Sequence, residues 1–439
     1  MMMVINVFQV IVMCVIMVCR AFAEDHCSLY SQNQECHTAT EQFTTRGSPH
    51  KYDPRFQGIY TFPVNPIPRM QCDDPDALAA IDNGTPVILL NCTFANPALK
   101  WSIDYLLENL RDKGHPTYVS RNRRFLFYEE DRISGDYAKW KPPHVRKLVG
   151  FQEFMEMVKE METSDNGTRS YFQSPLAITE GMSASMEHDI NSFDYPWLLN
   201  MVKRQGWGTE VVNLLLVGMR DVVTPTHYDI LENFYVQVSG YKRVILFSPE
   251  HFRSLYPFPV AHPHDRQTQV NFDEPDFARF PRFQDITGME TVLESGEVLY
   301  IPSFWWHYIE SEKNNMTISV NFWFEPRNKT DELPSDRENE NDLEIDNIET
   351  HGANTDKEST GKASEQDIAS HNTRLSSSEN LKNQSDTDVK PLTAAEYLRL
   401  RRQVEMSLFK ATADHSKVRQ LLDEMLSGRF DFLDRKNDG

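Results

Sequence analysis

Two stretches, THYDILENFYVQVSGYKRVILFSPE at 226–250 and YIPSFWWHYIES at 300–311, decide how this chain folds. In both, apolar residues alternate with polar ones or run in short blocks. Gly240, Pro249 and Pro302 punctuate them, which is the texture of short β-strands joined by tight loops. His227 and Asp229 stand two apart, so an extended backbone sends both side chains to one face. His307 lies on the second run, 80 positions beyond His227. Two imidazoles and one carboxylate fill one face of an octahedral iron(II) and leave three positions open for a co-substrate and dioxygen. Alone, H-x-D is a weak signal. Asp229 is as readily a turn acid, and each histidine a satisfied core residue.

The β texture holds from Val211 to Glu325, through NLLLVGM, NFYVQVSG, KRVILFSP, GEVLYIP, HYIES and TISVNFWFE. Short strands with turn residues between them predict a sandwich or jelly roll. In TISVNFWFE, alternation puts Ile318, Val320, Phe322 and Phe324 on one face and Ser319, Asn321 and Trp323 on the other. A polar row with a tryptophan, facing into a barrel, suits a ligand cavity better than a dry core. Lys242 shares its strand face with Val244 and Leu246. A lysine there either snorkels to water or meets an anion. Upstream, PVILLNC (86–92) reads as a buried strand, and SIDYLLENLRDKG (102–114) and FQEFMEMVKEME (151–162) as helices.

The net charge of −20 over 439 residues argues against nucleic acid and anionic membranes as partners. Much of that charge is local. Residues 328–390 hold 16 Asp and Glu against 7 Lys and Arg, without one aromatic, so they read as a disordered acidic insert. Beyond it, Tyr397, Leu400, Val404 and Leu408 form one apolar stripe, and Val418, Leu421, Leu422, Met425 and Leu426 another, closed by Gly428. Such helices either fold back on the barrel or pair with a second subunit.

The N-terminus reads as a secretory signal. Residues 3–19 are almost uniformly apolar, and Ala21-Phe22-Ala23 precedes Glu24 and Asp25, which predicts cleavage after Ala23. The run is too short, and too broken by Asn6 and Gln9, for a stable membrane span, although an uncleaved anchor is the alternative. Cleavage leaves Cys27, Cys36, Cys72 and Cys92, for which three connectivities exist. Cys27–Cys36 with Cys72–Cys92 is the favoured pairing, and four free thiols the alternative. Sequons at Asn83, Asn91, Asn166, Asn315, Asn328 and Asn383 agree with secretion. The chain closes in RKNDG, without a retention tetrapeptide, so endoplasmic-reticulum lumen and extracellular space both stay open.

The run from TFPVNPIPR (61–69) and NPALKW (96–101) through GWG, NLLLVGM, residues 234–277, 296–311 and NFWF resembles the JmjC-type iron(II)/2-oxoglutarate oxygenases. Within that family it is most similar to the asparaginyl hydroxylases that act on hypoxia-inducible factor. PLTAAEYLRLRRQVEM (391–406) and LLDEMLSGRFD (421–431) are similar to that branch's dimerisation helices. The resemblance implies iron ligation by His227, Asp229 and His307. It also implies that Tyr171, Thr224, Asn233, Lys242 and Asn321 hold 2-oxoglutarate, with Lys242 and Tyr171 at its distal carboxylate. Trp323 matches an aromatic lining the pocket, and Arg266 and Gln267 match residues that address the target side chain. Departures fall where the branch touches its polypeptide: Ile230-Leu231, Thr209 to Val211, Phe127-Tyr128 and Ile178.

The expected architecture is mainly β, a cupin-like double-stranded β-helix with flanking helices. The expected layout is signal 1–23, polar lead-in 24–58, oxygenase domain 59–326, acidic insert 327–390, dimerisation helices 391–431 and tail 432–439. The resemblance makes the chain a dioxygenase that couples oxidative decarboxylation of 2-oxoglutarate by O2 to hydroxylation of a polypeptide side chain, Asn or Asp first. The rivals are a lysyl or other side-chain hydroxylase, and a catalytically silent binding protein.

Overall fold

The alternating stretches form two facing sheets in the computed structural model, which describes residues 48–49, 53–110, 114–134, 137–164, 166–177, 181–327 and 392–426. The signal segment, Cys27, Cys36, Ile178, the acidic insert from 328 and the tail lie outside the described residues. Ahead of the barrel come β1 (Ser48–Pro49), β2 (Pro63–Pro66), β3 (Arg69–Gln71), α1 (Pro75–Asp82), β4 (Val87–Leu90) and α2 (Ile103–Asn109). Then follow β5 (His115–Ser120), β6 (His144–Val149), α3 (Phe151–Ser164), β7 (Arg169–Pro175), α4 (Ala184–Asn191) and α5 (Tyr195–Gln205). The barrel consists of β8 (Glu210–Gly218), β9 (Val223–Tyr228), β10 (Glu232–Ser239), β11 (Lys242–Phe247), β12 (Gly288–Leu293), β13 (Val298–Ile301), β14 (Trp306–Ser311) and β15 (Thr317–Phe324). Helices α6 (Ala394–Thr412) and α7 (His415–Leu426) end the described chain.

One sheet runs β1-β2-β12-β11-β14-β9, the other β3-β4-β13-β10-β15-β8-β7-β5-β6. The barrel strands therefore pass repeatedly from one sheet to the other. This is the jelly roll predicted from the strand texture.

Alternation decides what each face buries. Ile318, Val320, Phe322 and Phe324 pack outward, in one cluster with Trp101, Phe193 and Leu198. Ile245 and Phe247 face outward on the other sheet, against Tyr60, Phe272 and Leu398. Tyr235, Val244, Leu246, Leu299 and Ile309 fill the space between the sheets. Each such side chain contributes about 1.5–3 kcal/mol by leaving water. Helix α5 shows how the outer layer is bounded. Asp194 accepts from the Trp197 N–H at 3.0 Å, and Gly206 takes a left-handed φ of 65° at the C-terminus.

Two expectations need correction. The helix expected over 102–114 ends at Asn109, because Leu110 is buried and captured by a β-bridge to Met182. On α6 the buried residues are Leu398 and Leu408, whereas Leu400 and Val404 are only half-buried. The docking face of α6 is built partly from charges: Arg402 pairs with Asp265, and Glu405 accepts from the Val260 N–H at 3.1 Å. An apolar stripe alone cannot reveal such a face.

Cys72 and Cys92 are joined in a disulfide that ties the end of β3 to the residues after β4. No helix among the described residues is long and apolar enough to cross a membrane.

Candidate active site

The triad is assembled by register. β14 pairs antiparallel with β9, which sets His307 directly opposite His227 with ring centroids 4.1 Å apart. Asp229 follows β9, and its Oδ2 lies 3.6 Å from His307 Nε2. The three donor atoms fall within 4.8 Å of one another. His227 Nδ1 lies 3.0 Å from the Pro225 carbonyl and His307 Nδ1 3.1 Å from the Trp305 carbonyl. A carbonyl oxygen only accepts, so each Nδ1 carries the proton and each Nε2 presents its lone pair to the centre. Burial, followed by the neighbouring His307, pushes His227 down to about 3, and burial likewise depresses His307. Burial opposes the charge on Asp229, but His227, His307 and Arg266 hold its carboxyl below the ordinary carboxylate range. Two neutral imidazoles and one carboxylate result, the donor set for a divalent metal.

Deeper in the barrel, Lys242 is buried with Nζ 2.6 Å from the Tyr235 hydroxyl, 3.0 Å from Ser319 Oγ and 3.4 Å from the Tyr171 hydroxyl. No described carboxylate pairs with it. Burial alone brings its pKa down to about 7. In the cleft that holds the triad, the side-chain oxygens of Asn233 and Asn321 are buried without a hydrogen-bond partner among the described residues. Buried polar atoms are normally paired, so these mark groups left for a ligand.

Tyr171, Thr224, Asn233, Asn321 and Trp323 line one cleft together with the triad. At its mouth Arg266 donates to Asp229 Oδ1 at 3.3 Å and to Glu129 Oε1 at 3.0 Å. Gln267 is buried with its side-chain oxygen unpartnered.

Residues 79–330 match the family model described as "Cupin-like domain". The chain belongs to the cupin-like domain family. Relatives include the "Lysine-specific demethylase JMJ30" of Arabidopsis thaliana, 31% identical over 246 residues, 55% of this chain and 50% of that protein. The "Jumonji C domain-containing protein 5" of Drosophila melanogaster is 28% identical over 254 residues, 55% of each chain. The "tRNA wybutosine-synthesizing protein 5" of Gallus gallus is 26% identical over 248 residues, 54% of this chain and 70% of that protein. The chain thus spans about half the length of the first two. The first two names are those of a lysine demethylase and a Jumonji C domain protein. They do not single out the asparaginyl hydroxylase branch.

Within this cupin-like barrel, ten of the eleven residues singled out from sequence line one cleft. The eleventh, Lys242, stands behind it and is reached through Tyr235 and Tyr171. The residues fit an iron and a dicarboxylate: three converging donors, unpartnered amides, and a buried amine without a carboxylate among the described residues. Sequence reasoning missed Tyr235, although it shares a strand face with Asn233, and that alternation was the available signal. It also missed His144, which lines the cleft with an unpartnered Nδ1, and Glu129, which braces Arg266. Nothing local in the sequence marks either.

Proposed function

We propose that this chain is an iron(II)- and 2-oxoglutarate-dependent dioxygenase that hydroxylates a polypeptide side chain, Asn or Asp first. The carrying observation is the His227–Asp229–His307 cluster in one cleft, backed by a buried lysine that has no carboxylate partner among the described residues. When bound, iron with oxoglutarate and dioxygen supplies the oxidising power for C–H hydroxylation. The protein's own part is orientation. Lys242 and the Tyr171 hydroxyl would hold the distal carboxylate. The Asn233 and Asn321 amides and Thr224 would fix the rest of the co-substrate. Trp323 and the barrel wall exclude water, and Arg266 and Gln267 face the incoming target.

The rim favours a substrate unlike that of the hypoxia-inducible-factor branch. Phe127 lines the cleft and is 41% exposed, and the further departures Ile230 and Val211 are apolar and exposed. Exposed apolar residues at these positions suit a target flanked by apolar residues. A second reading, oxidation of a lysine side chain, is supported by the lysine-demethylase name of a relative.

The compartment we propose is the secretory pathway or the exterior. The Cys72–Cys92 disulfide supports it, as do the exposed sequon residues Asn83, Asn91, Asn166 and Asn315. We also propose a homodimer through 391–431, for which the half-buried Leu400 and Val404 on α6 are the support.

The test is mass spectrometry of lumenal and secreted proteins from cells carrying wild-type or His227→Ala enzyme. A one-oxygen mass gain on Asn or Asp that depends on His227 supports the reading. The same gain on lysine favours the second reading. No His227-dependent change, with no succinate formed by the purified protein, favours a silent binding protein.

A further inference from the structure

Six charged side chains run from α6 to the triad in alternating sign. Arg402 of α6 grips Asp265 with both Nη atoms, Nη1 at 2.7 Å from Oδ1. Asp265 is wholly buried, and its Oδ2 also lies 2.6 Å from Arg132 Nη1. Arg132 reaches Glu129 at 3.3 Å. Glu129 accepts from Arg266 at 3.0 Å, and Arg266 in turn lies 3.3 Å from the triad carboxylate Asp229.

The backbone follows the same path. Arg266 holds a left-handed φ of 68°, which residues with a Cβ avoid unless their neighbours impose it. Its carbonyl accepts from the Tyr228 N–H at 3.2 Å, between the two triad ligands of the β9 end. Arg402 Nη1 also lies 3.4 Å from the Tyr228 hydroxyl. The segment carrying Arg266 is thus held on one side by β9 and on the other by α6.

We infer that Arg402 is a positioning residue for the metal centre, acting through Asp265 and Arg266 to set the orientation of the Asp229 carboxylate. The physical ground is that Asp265 has no solvent to fall back on. With Arg402 removed, its carboxylate must turn wholly to Arg132. That draws Arg132 from Glu129, and Glu129 loosens its hold on Arg266. Asp229 then loses a partner that fixes which oxygen faces the centre. Outer partners of ligating carboxylates act in this way. A helix residue 95 positions along the chain from the last triad residue thereby becomes part of the site.

This inference rests on the metal reading of the triad, and the test separates the two. Cobalt(II) is titrated into the full chain and its visible absorption recorded, for wild type, Arg402→Met, Arg402→Lys, Glu129→Gln and Arg401→Met. Circular dichroism and thermal melts accompany each variant. Arg401 lies over the Phe252 ring, an α6 contact outside the charged path. Expected for Arg402→Met is a loss of cobalt affinity of about tenfold, the low end for outer partners, with a shifted absorption band. Arg402→Lys recovers part of it, Glu129→Gln shows the same band shift, and Arg401→Met behaves as wild type. Wild-type affinity and spectrum in both Arg402→Met and Glu129→Gln would overturn the inference. So would an Arg401→Met variant that loses as much as Arg402→Met, since helix docking alone would then be responsible. Where Arg402→Met fails to fold, Glu129→Gln decides. A wild-type chain that takes up no cobalt instead removes the metal reading itself.

Discussion

Lys242 Nζ lies 2.6 Å from the Tyr235 hydroxyl, in a position where its polar neighbours are two phenols and a serine and no carboxylate among the described residues is paired with it. Burial lowers its pKa from 10.5 to about 7, so the folded value lies below the unfolded one. The neutral amine therefore favours the fold. That contribution is full above the unfolded value and is lost as pH falls through 7. A dicarboxylate needs the ammonium instead.

Oxoglutarate affinity should accordingly weaken as pH rises above about 7, approaching a factor of about ten per pH unit. Titration of the metal-loaded protein between about pH 6.5 and 8.5 checks this, with proton uptake on binding as a second readout. Lys242→Met should abolish the slope and cost on the order of 2–5 kcal/mol of binding. A flat profile in the wild type would place the carboxylate elsewhere.

Glu310, wholly buried on β14 three residues beyond His307, accepts from Arg243 Nε at 3.1 Å, from Arg123, and from the Gln57 and Gly58 N–H groups. Glu310→Ala leaves two arginine side chains facing an empty site. A loss of about 3–5 kcal/mol in unfolding free energy is expected, read by urea denaturation. A loss below about 1 kcal/mol would mean that water replaces the carboxylate freely.

Asn83, Asn91, Asn166 and Asn315 are exposed, each within a sequon. The chain expressed through a eukaryotic secretory pathway should carry glycans that an endoglycosidase removes, with one gel step lost for each occupied Asn→Gln. Secretion without any glycosidase-sensitive shift would count against the proposed compartment.

Much of this molecule was legible before its coordinates were. Period-two alternation in TISVNFWFE separated the outward Ile318 and Phe322 from the cleft-facing Asn321 and Trp323, because a strand has only two faces. The histidine spacing was legible for the same reason, since β pairing brings His227 and His307 together wherever their strands meet. The supports of the site were not. Glu129 reaches Arg266 from a loop 137 positions away, and Arg402 reaches Asp265 from a helix equally far along the chain. Such partnerships depend on loop conformation, which leaves no periodic trace. The docking face of α6 was hidden because arginines and a glutamate do what an apolar stripe was expected to do. Leu110 shows the converse: a helical pattern yields where a buried bridge partner captures its last turn.

The measurement that bears most directly on the central claim is succinate formed from oxoglutarate by the purified chain with iron(II), compared between wild type and Asp229→Ala. Asp229 is the only carboxylate in the triad, so its loss leaves two neutral ligands and removes both charge and chelation. The expected result is iron-dependent succinate formation in the wild type and background levels in the variant, with circular dichroism unchanged. Succinate formation by Asp229→Ala at near wild-type rates would show that the metal does not sit on these three residues.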